Sequence, residues 1–400
     1  APWLAYIAAA DFFIDSYPQA ELMYVFPVQN FTVLFFGSVL LMCYGERLPL
    51  NQRILHPQVV LVGAMCVVPL LNAVGAPHHI SLVLTLIAQF IGAVCVTIFQ
   101  TTSYGAGGQL GPEFMNALEA GKGMGGVAII LARIFAKAML PATPEGLTAS
   151  TNIFFVFSNC LVVLSIVLWC MLLRTPFAQR KFGEYEERRL AVQAPVQSQA
   201  PKDVEKGAGG APRRTENSHL LGNQKNADEV QPRFGAVLKK VLLPACIVFS
   251  SFVVCLACFP GLTTSLQSQS GLGDWLPVLL VFFFNTADLV GKSLPGWIML
   301  FDKNTLVFPA VAHLLFIPVF VYLSTEPGGV IGSDQVAFAV VFGLGLFTGY
   351  ISCTGMMIGP SFVEEHEKVL AGQMMSTFLI CGLFVGSMMG PLLAWISSKV

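Results

Sequence analysis

Charged side chains are scarce in this sequence: Asp, Glu, Lys and Arg together make up 11% of its 400 residues. Soluble globular domains carry roughly 25%, because their surfaces have to be hydrated. The shortage argues against a soluble fold, against intrinsic disorder of the whole chain and against a basic surface that binds nucleic acid. The ten cysteines lie in apolar stretches, which also argues against a secreted fold held by disulfides.

Sequence motifs for chemistry are missing as well. The apolar stretches contain no His-Glu-x-x-His, no Gly-x-Ser-x-Gly and no pair of catalytic carboxylates. The run from Gly121 to Gly126 resembles a phosphate loop, but it opens an apolar helix and follows no strand. His78 and His79 have no acidic or Cys partner at ligand spacing. We therefore expect no enzymatic activity, no metal and no cofactor.

What the sequence has in abundance is apolar runs: 55% of its residues are hydrophobic and its mean hydropathy is +0.70. A membrane-spanning helix needs about 20 such residues. Ten stretches meet that length, and a shorter one at 1–14 reads as a first helix that has been trimmed. The sequence thus predicts an all-α, polytopic membrane protein of eleven helices, the later ten at 22–44, 57–76, 80–104, 114–140, 152–173, 236–259, 275–300, 305–323, 335–359 and 371–396.

The charges that do occur are concentrated in one segment. Residues 174–240 hold 21 of the 45 charged side chains. We interpret 174–235 as a cytoplasmic loop, largely disordered or only locally helical, between helices 1–6 (1–173) and helices 7–11 (236–400). Arg213-Arg214-Thr215 within it is a candidate site for kinases or other regulators.

Positive charge also orients the chain. The five connections assigned to the outer side contain no Lys or Arg, whereas the inner ones hold Arg47, Arg53, Lys303 and Lys368. By the positive-inside rule the N-terminus is cytoplasmic and the C-terminus outside, with Lys399 as the exception. We expect a plasma-membrane protein, with an organellar membrane as the alternative.

Polar residues at membrane depth are costly and mark candidate functional positions. Asn285, Asp288 and Lys292 are spaced i, i+3, i+7, so they project from one face of the eighth helix, and Asp288 and Lys292 can pair. Two interpretations stay open: an ion pair that only locks the helix bundle, or the polar wall of a central pathway.

Two further helices carry polar positions. Gln89, Gln100 and Tyr104 recur at helical spacing on the fourth helix, suited to hydrogen-bonding uncharged polar groups. Arg133 on the fifth helix lies deep enough to need a carboxylate, a carbonyl or water. Glu119 and Lys122, near the inner end of that helix, form either a gate or a surface pair, and we expect the surface pair.

Several of these segments resemble the equilibrative nucleoside transporter family. The eighth helix, Phe284-Asn285-x-x-Asp288-x-x-Gly291-Lys292-Ser293-Leu294, resembles that family's F-N-x-x-D-x-x-G-R-S-L signature. Four other similarities are weak singly and support the family only together. They are Pro2-Trp3, Gln52-Arg53-Ile54, Phe99-Gln100 with the glycines after Tyr104, and Phe347-Thr348-Gly349-Tyr350. Together they cover nearly the whole chain.

The resemblance implies a fold like the major facilitator architecture with one helix missing, in a 6+5 arrangement around a central cavity. It implies Trp3 as an aromatic wall, Gln100 as the amide that meets the base and Asn285 as a shaping residue. Asp288 and Lys292 would meet the ribose hydroxyls. Lys292 stands where the family usually has Arg, and Leu4 where an Asn usually follows the Trp.

The expected function is transport of nucleosides or nucleobases by alternating access, either facilitative or coupled to protons, with Asp288 as the protonation candidate. Gln89, Tyr104 and Arg133 are further cavity or gating candidates. The expected partners are a nucleoside or nucleobase and the lipid bilayer, and no nucleic acid. The alternatives are a carrier of another small polar solute, such as a sugar or organic cation, and a membrane receptor that does not transport.

Overall fold

The computed structural model describes residues 2–20, 22–44, 48–141, 143–193, 234–259, 268–273, 275–325 and 333–397. Within these ranges the regular structure is entirely helical, as the sequence predicts. Most of the predicted central loop, including Arg213-Arg214-Thr215, lies outside the described residues, and so does Lys399.

Fourteen α-helices make up the described part of the chain, joined by 3-10 turns at Leu294–Gly296 and Gly359–Phe362. They are α1 (Pro2–Ala8), α2 (Ala10–Ser16), α3 (Leu22–Tyr44), α4 (Leu50–Val74), α5 (His78–Leu110), α6 (Pro112–Met139), α7 (Pro144–Leu173), α8 (Pro176–Gln193), α9 (Phe234–Cys258), α10 (Trp275–Ser293), α11 (Val307–His313), α12 (Phe316–Thr325), α13 (Asp334–Ile358) and α14 (Lys368–Ser397).

Every apolar stretch identified in the sequence contains helix, although 275–300 extends too far, because residues 297–300 follow the 3-10 turn and are not helical. Eight of the described helices are long and apolar enough to cross a membrane. The 28-residue α6 is not among them, because it carries five charged side chains. The first stretch is two short helices that break at Ala9, and the stretch at 305–323 is α11 and α12. The count of eleven spans stays a prediction.

The first part of the predicted loop contains α8, an 18-residue helix that packs against α4, α5 and α7. Its Ala178 and Phe182 are buried against Leu50 at the start of α4. Glu186 accepts a hydrogen bond of 2.7 Å from the backbone N–H of Leu50, which has no partner inside its own helix. The segment is polar on average but has one apolar face, so it becomes ordered by docking.

The helices before and after the central loop meet closely at α5 and α14. A Cβ added to Gly108 would lie 2.7 Å from the backbone carbonyl of Lys368, and one added to Gly372 would overlap the carbonyl of Tyr104. Only glycine permits this distance between two helix backbones, as in other small-residue helix contacts in membranes. The contact lies at the end of the molecule where α5 ends and α6 begins.

An ion pair supports the start of α14. Glu367, in the turn before the helix, accepts a 2.7 Å hydrogen bond from the ammonium of Lys240 on α9. Burial raises the pKa of the Glu367 carboxyl, but the bond from Lys240 and the N–H of Glu364 outweigh it, so its pKa lies below the ordinary value. The carboxylate is therefore the favoured form in the folded protein.

Candidate functional site

The centre of the candidate site is the ion pair that the eighth predicted span suggested. On α10, the ammonium of Lys292 donates a 2.6 Å hydrogen bond to Oδ2 of Asp288, and both side chains are buried. Gly345 and Gly349 on α13 place that helix directly against the backbone of α10 at Phe284 and Asp288. The glycines thus enclose the pair between two helices and deprive it of water.

A second carboxylate lies next to this pair. Glu119 on α6 is fully buried, accepts a short hydrogen bond from the hydroxyl of Tyr104 on α5, and lies 3.6 Å from the ammonium of Lys122. Lys122 also donates to the Tyr104 hydroxyl and lies over its ring at 4.8 Å. The expectation of a surface pair at Glu119 and Lys122 is wrong. A buried carboxylate needs partners, and Tyr104 of α5 and Lys122 of the same helix supply them.

The two groups of charges join across the molecule. The ammonium of Lys292 lies 3.9 Å from Oε2 of Glu119, so α10, after the central loop, meets α6, before it. The combined network contains two carboxylates and two ammonium groups. Its formal charge is zero, which is the condition under which buried charges are tolerated.

Gln100 and Asn285, two uncharged residues that the sequence analysis assigned to the substrate site, lie one helical turn away from this network. Gln100 precedes Tyr104 by four residues on α5, and Asn285 precedes Asp288 by three on α10. Asn285 donates to the carbonyl of Val281 at 2.8 Å and lies against Gly126 of α6. Asp288 and Lys292 contact each other and Tyr104 is linked to them through Glu119, whereas Gln100 and Asn285 are placed beside this network.

Two polar atoms of the site are left without a hydrogen-bond partner. Nε2 of Gln100 and Oε2 of Glu119 are buried and make no hydrogen bond to any residue that the structure describes. One is a donor and the other an acceptor. Leaving such groups unpaired costs about 1–3 kcal/mol each, and more for a charged group. A ligand with both acceptor and donor groups would satisfy them.

Trp3 and Gln89 line a cleft to which the residues of the network do not contribute. Trp3 is half-buried against Phe31, with ring centroids 5.3 Å apart. The cleft lies among α1, α3, α4 and α5 and includes the buried Asn30. Nε2 of Gln89 donates to the carbonyl of Phe26 at 3.0 Å, while its buried Oε1 has no donor in the described ranges. Gln89 therefore belongs to this cleft.

Arg133 lies apart from the network. Its guanidinium donates to the backbone carbonyl of Ala8 and, at 2.9 Å, to the carboxylate of Asp11. The carboxylate and carbonyl that the sequence required are both present, on α1 and α2. In the structure Arg133 holds the divided first span against α6.

The sequence interpretation missed one face of α6. Asn116, Glu119, Gly123 and Gly126 are spaced i, i+3, i+7, i+10, and all four face α10. Asn116 donates a 2.7 Å hydrogen bond to the carbonyl of Lys292, and Gly123 packs on Leu289. This spacing of small and polar residues was a readable signal. Among the described residues, no group of three His, Cys, Asp or Glu side chains could hold a metal ion.

Comparison with known structures supports the fold. The chain superposes on a Major Facilitator Superfamily transporter, FucP in its outward conformation, with a TM-score of 0.58 over 100% of this chain and 90% of that one. The sequence identity is 13%, so this similarity concerns the fold alone. It confirms the expected major-facilitator-like architecture.

Sequence relatives are more specific. The chain is 29% identical to equilibrative nucleotide transporter 1 of Arabidopsis thaliana over 98% of this chain and 82% of that protein. It is 24% identical to adenosine transporter 1 of Crithidia fasciculata, covering 88% and 79%, and 24% identical to human equilibrative nucleoside transporter 4, covering 96% and 78%. The family model described as nucleoside transporter matches residues 85–395, which include α6, α10 and the charge network. On this match, this chain belongs to the nucleoside transporter family.

Proposed function

We propose that this protein carries nucleosides, and nucleobases as a related class, across a membrane by alternating access. The observation that carries the proposal is the buried, charge-balanced network in which Asp288 and Lys292 of α10 meet Glu119 of α6. It lies between the helices before and after the central loop, where a carrier of this fold has its substrate site. The names of the relatives indicate the substrate class.

The chemistry of the network suits a ribose. A vicinal diol offers hydroxyl donors and acceptors side by side, and the Asp288 carboxylate accepts where the Lys292 ammonium donates. Gln100, whose Nε2 is unpaired in the described structure, is placed to bond an acceptor on the base. Trp3 supplies an aromatic surface for the base to contact.

The lysine at position 292 affects how this binding works. An ammonium is a compact point charge, whereas the arginine usual in the family is a planar fork that bonds two oxygens at once. Lys292 is held at 2.6 Å from Asp288 and only 3.9 Å from Glu119. We infer that the Lys292 ammonium is held mainly by one carboxylate at a time. A bound substrate then competes with both Asp288 and Glu119 for this ammonium.

Coupling and location complete the proposal. We place the protein in the plasma membrane with the N-terminus and the 174–235 loop in the cytoplasm, where kinases would reach that loop. Transport is either facilitative or driven by protons, and Asp288 is the group to test for protonation. The chain is expected to act without a cofactor and not as an enzyme.

The test is uptake of radiolabelled adenosine and uridine by cells that express the protein and lack their own nucleoside carriers. We expect uptake that unlabelled nucleosides inhibit and hexoses do not. Asp288→Asn should abolish it, whereas Asp15→Asn, the same change at an exposed position on α2, should leave it intact. Repeating the assay across pH values distinguishes proton coupling from facilitation.

Two results would contradict the proposal. One is folded protein at the cell surface that takes up no nucleoside or nucleobase. The other is uptake that hexoses or organic cations inhibit and nucleosides do not, which would favour a carrier of another polar solute.

A further inference from the structure

The contacts of Lys292 point to a role for two residues that the motif comparison does not include. Asn116 donates to the backbone carbonyl of Lys292 at 2.7 Å, and Glu119, one turn further along α6, lies 3.9 Å from its ammonium. We propose that Asn116 and Glu119 are positioning residues that latch α6 onto Lys292, and that this latch opens whenever the two halves of the protein separate at this end. That it opens in each transport cycle rests on the proposed function.

The latch joins parts of the chain that have to move apart. Asn116 and Glu119 precede the central loop, and Lys292 follows it. Asn116 also donates to Sγ of Cys353 on α13, at 3.2 Å, so it contacts two helices of the second half. Gly296, just after α10, packs so closely on Asn116 that a Cβ there would overlap the amide. In an alternating-access carrier, these are contacts that form in one state and break in the other.

The distances suit a contact that is made and broken. The Asp288–Lys292 pair is contained in one helix and does not change when the halves move. The Glu119–Lys292 pair is longer, and Oε2 of Glu119 has no hydrogen-bond donor in the structure as described. This oxygen can therefore still accept a hydrogen bond. A hydroxyl of the substrate can bond either Glu119 or Lys292, and the residue that it bonds then separates from the other.

The protein contains a native reporter for the latch. Cys353 is fully buried beside Asn116, so its thiol becomes accessible when α6 separates from α10 and α13. Cys258 is equally buried, but it packs among Leu276, Leu280 and Val341 within the second half. Movement at the latch exposes the first thiol and leaves the second covered, whereas unfolding exposes both.

The experiment measures alkylation of both thiols by N-ethylmaleimide in membranes, using peptide mass spectrometry, without substrate. We expect Glu119→Gln and Asn116→Ala to raise the rate at Cys353 several-fold and to leave Cys258 unchanged. Glu113→Gln makes the same chemical change at an exposed position of α6 and should alter neither rate. An unchanged Cys353 rate in both latch variants, or an equal rise at both cysteines, would overturn the proposal.

A double-mutant cycle tests the pairing itself. The guanidinium in Lys292→Arg can bond Asp288 and Glu119 together, so we expect slower alkylation of Cys353. The slowing should disappear when Glu119→Gln is also present, because the second partner is gone. Additive effects of the two substitutions would refute direct coupling. Because alkylation needs no substrate, failure of this test and failure of nucleoside uptake are separate results.

Discussion

The Asp288–Lys292 pair leads to the most decisive prediction, because it separates a structural from a transport role. Asp288→Asn removes the nearer partner of a buried ammonium. At equal dielectric, the attraction of Lys292 to Asp288 at 2.6 Å is about 1.5 times its attraction to Glu119 at 3.9 Å. Removing one partner from a buried ion pair costs about 3–5 kcal/mol. Since Glu119 remains, we expect the lower end of that range.

The informative variant is the double substitution of Asp288→Asn with Lys292→Met. It removes both charges of the pair, and Glu119 keeps Lys122 at 3.6 Å. Because a buried pair is often replaced by uncharged groups without loss, stability should return to within about 1 kcal/mol of the wild type. Transport should not return, since a ribose would find neither a carboxylate nor an ammonium there.

The assay combines two measurements on the same preparations: thermal unfolding followed by fluorescence-detected size exclusion, and uptake of labelled adenosine normalised to folded protein. We expect the single variant to be unstable and inactive, and the double variant stable and inactive. Recovery of uptake together with stability in the double variant would refute our reasoning. The pair would then serve only to hold the bundle together.

Three further predictions concern contacts that hold the helices together outside the charge network. Gly372→Ala should lower the unfolding temperature, since its Cβ would overlap the backbone of α5 at a cost of about 1–3 kcal/mol, while Gly63→Ala, with open space, should not. Arg133→Gln should expose the N-terminal helices to limited proteolysis, because it weakens their hydrogen bonds to α6. The lowered pKa of Glu367 contributes stability that is present above the ordinary carboxyl pKa and lost as pH falls through its folded value. Glu367→Gln should flatten the acid limb of a melting-temperature profile, and a variant with unchanged acid sensitivity would contradict the Lys240 pairing.

The sequence was sufficient for the features that depend on local pattern. Apolar runs locate the helices, because the bilayer requires about 20 consecutive residues whatever the rest of the fold does. The spacing of Asn285, Asp288 and Lys292 places them on one face, and the structure confirms the pairing of the last two. These inferences need only the geometry of a single helix.

The burial of Glu119 could not be predicted from the pattern of its own helix. Two charged residues near a helix end look like a surface pair when only their own helix is considered. Whether a side chain at that position meets water or another helix depends on what packs against it. Here, Gly123 and Gly126 bring α10 close enough for Glu119 to reach Lys292. The docking of α8 follows the same logic, since its apolar face packs on α4, α5 and α7, which lie far from it in sequence or on the other side of a turn.

The sequence by itself therefore determined that this chain is a helical membrane protein of the transporter type, and which residues of α10 carry charge at depth. The tertiary structure decided which other charges join them. Buried ionic networks depend on contacts between helices that are far apart in sequence, such as the contact of Glu119 on α6 with Lys292 on α10. The spacing of residues within one helix does not predict which residues of another helix lie close to it. The cost of burying each charge alone is what requires the two helices to come together.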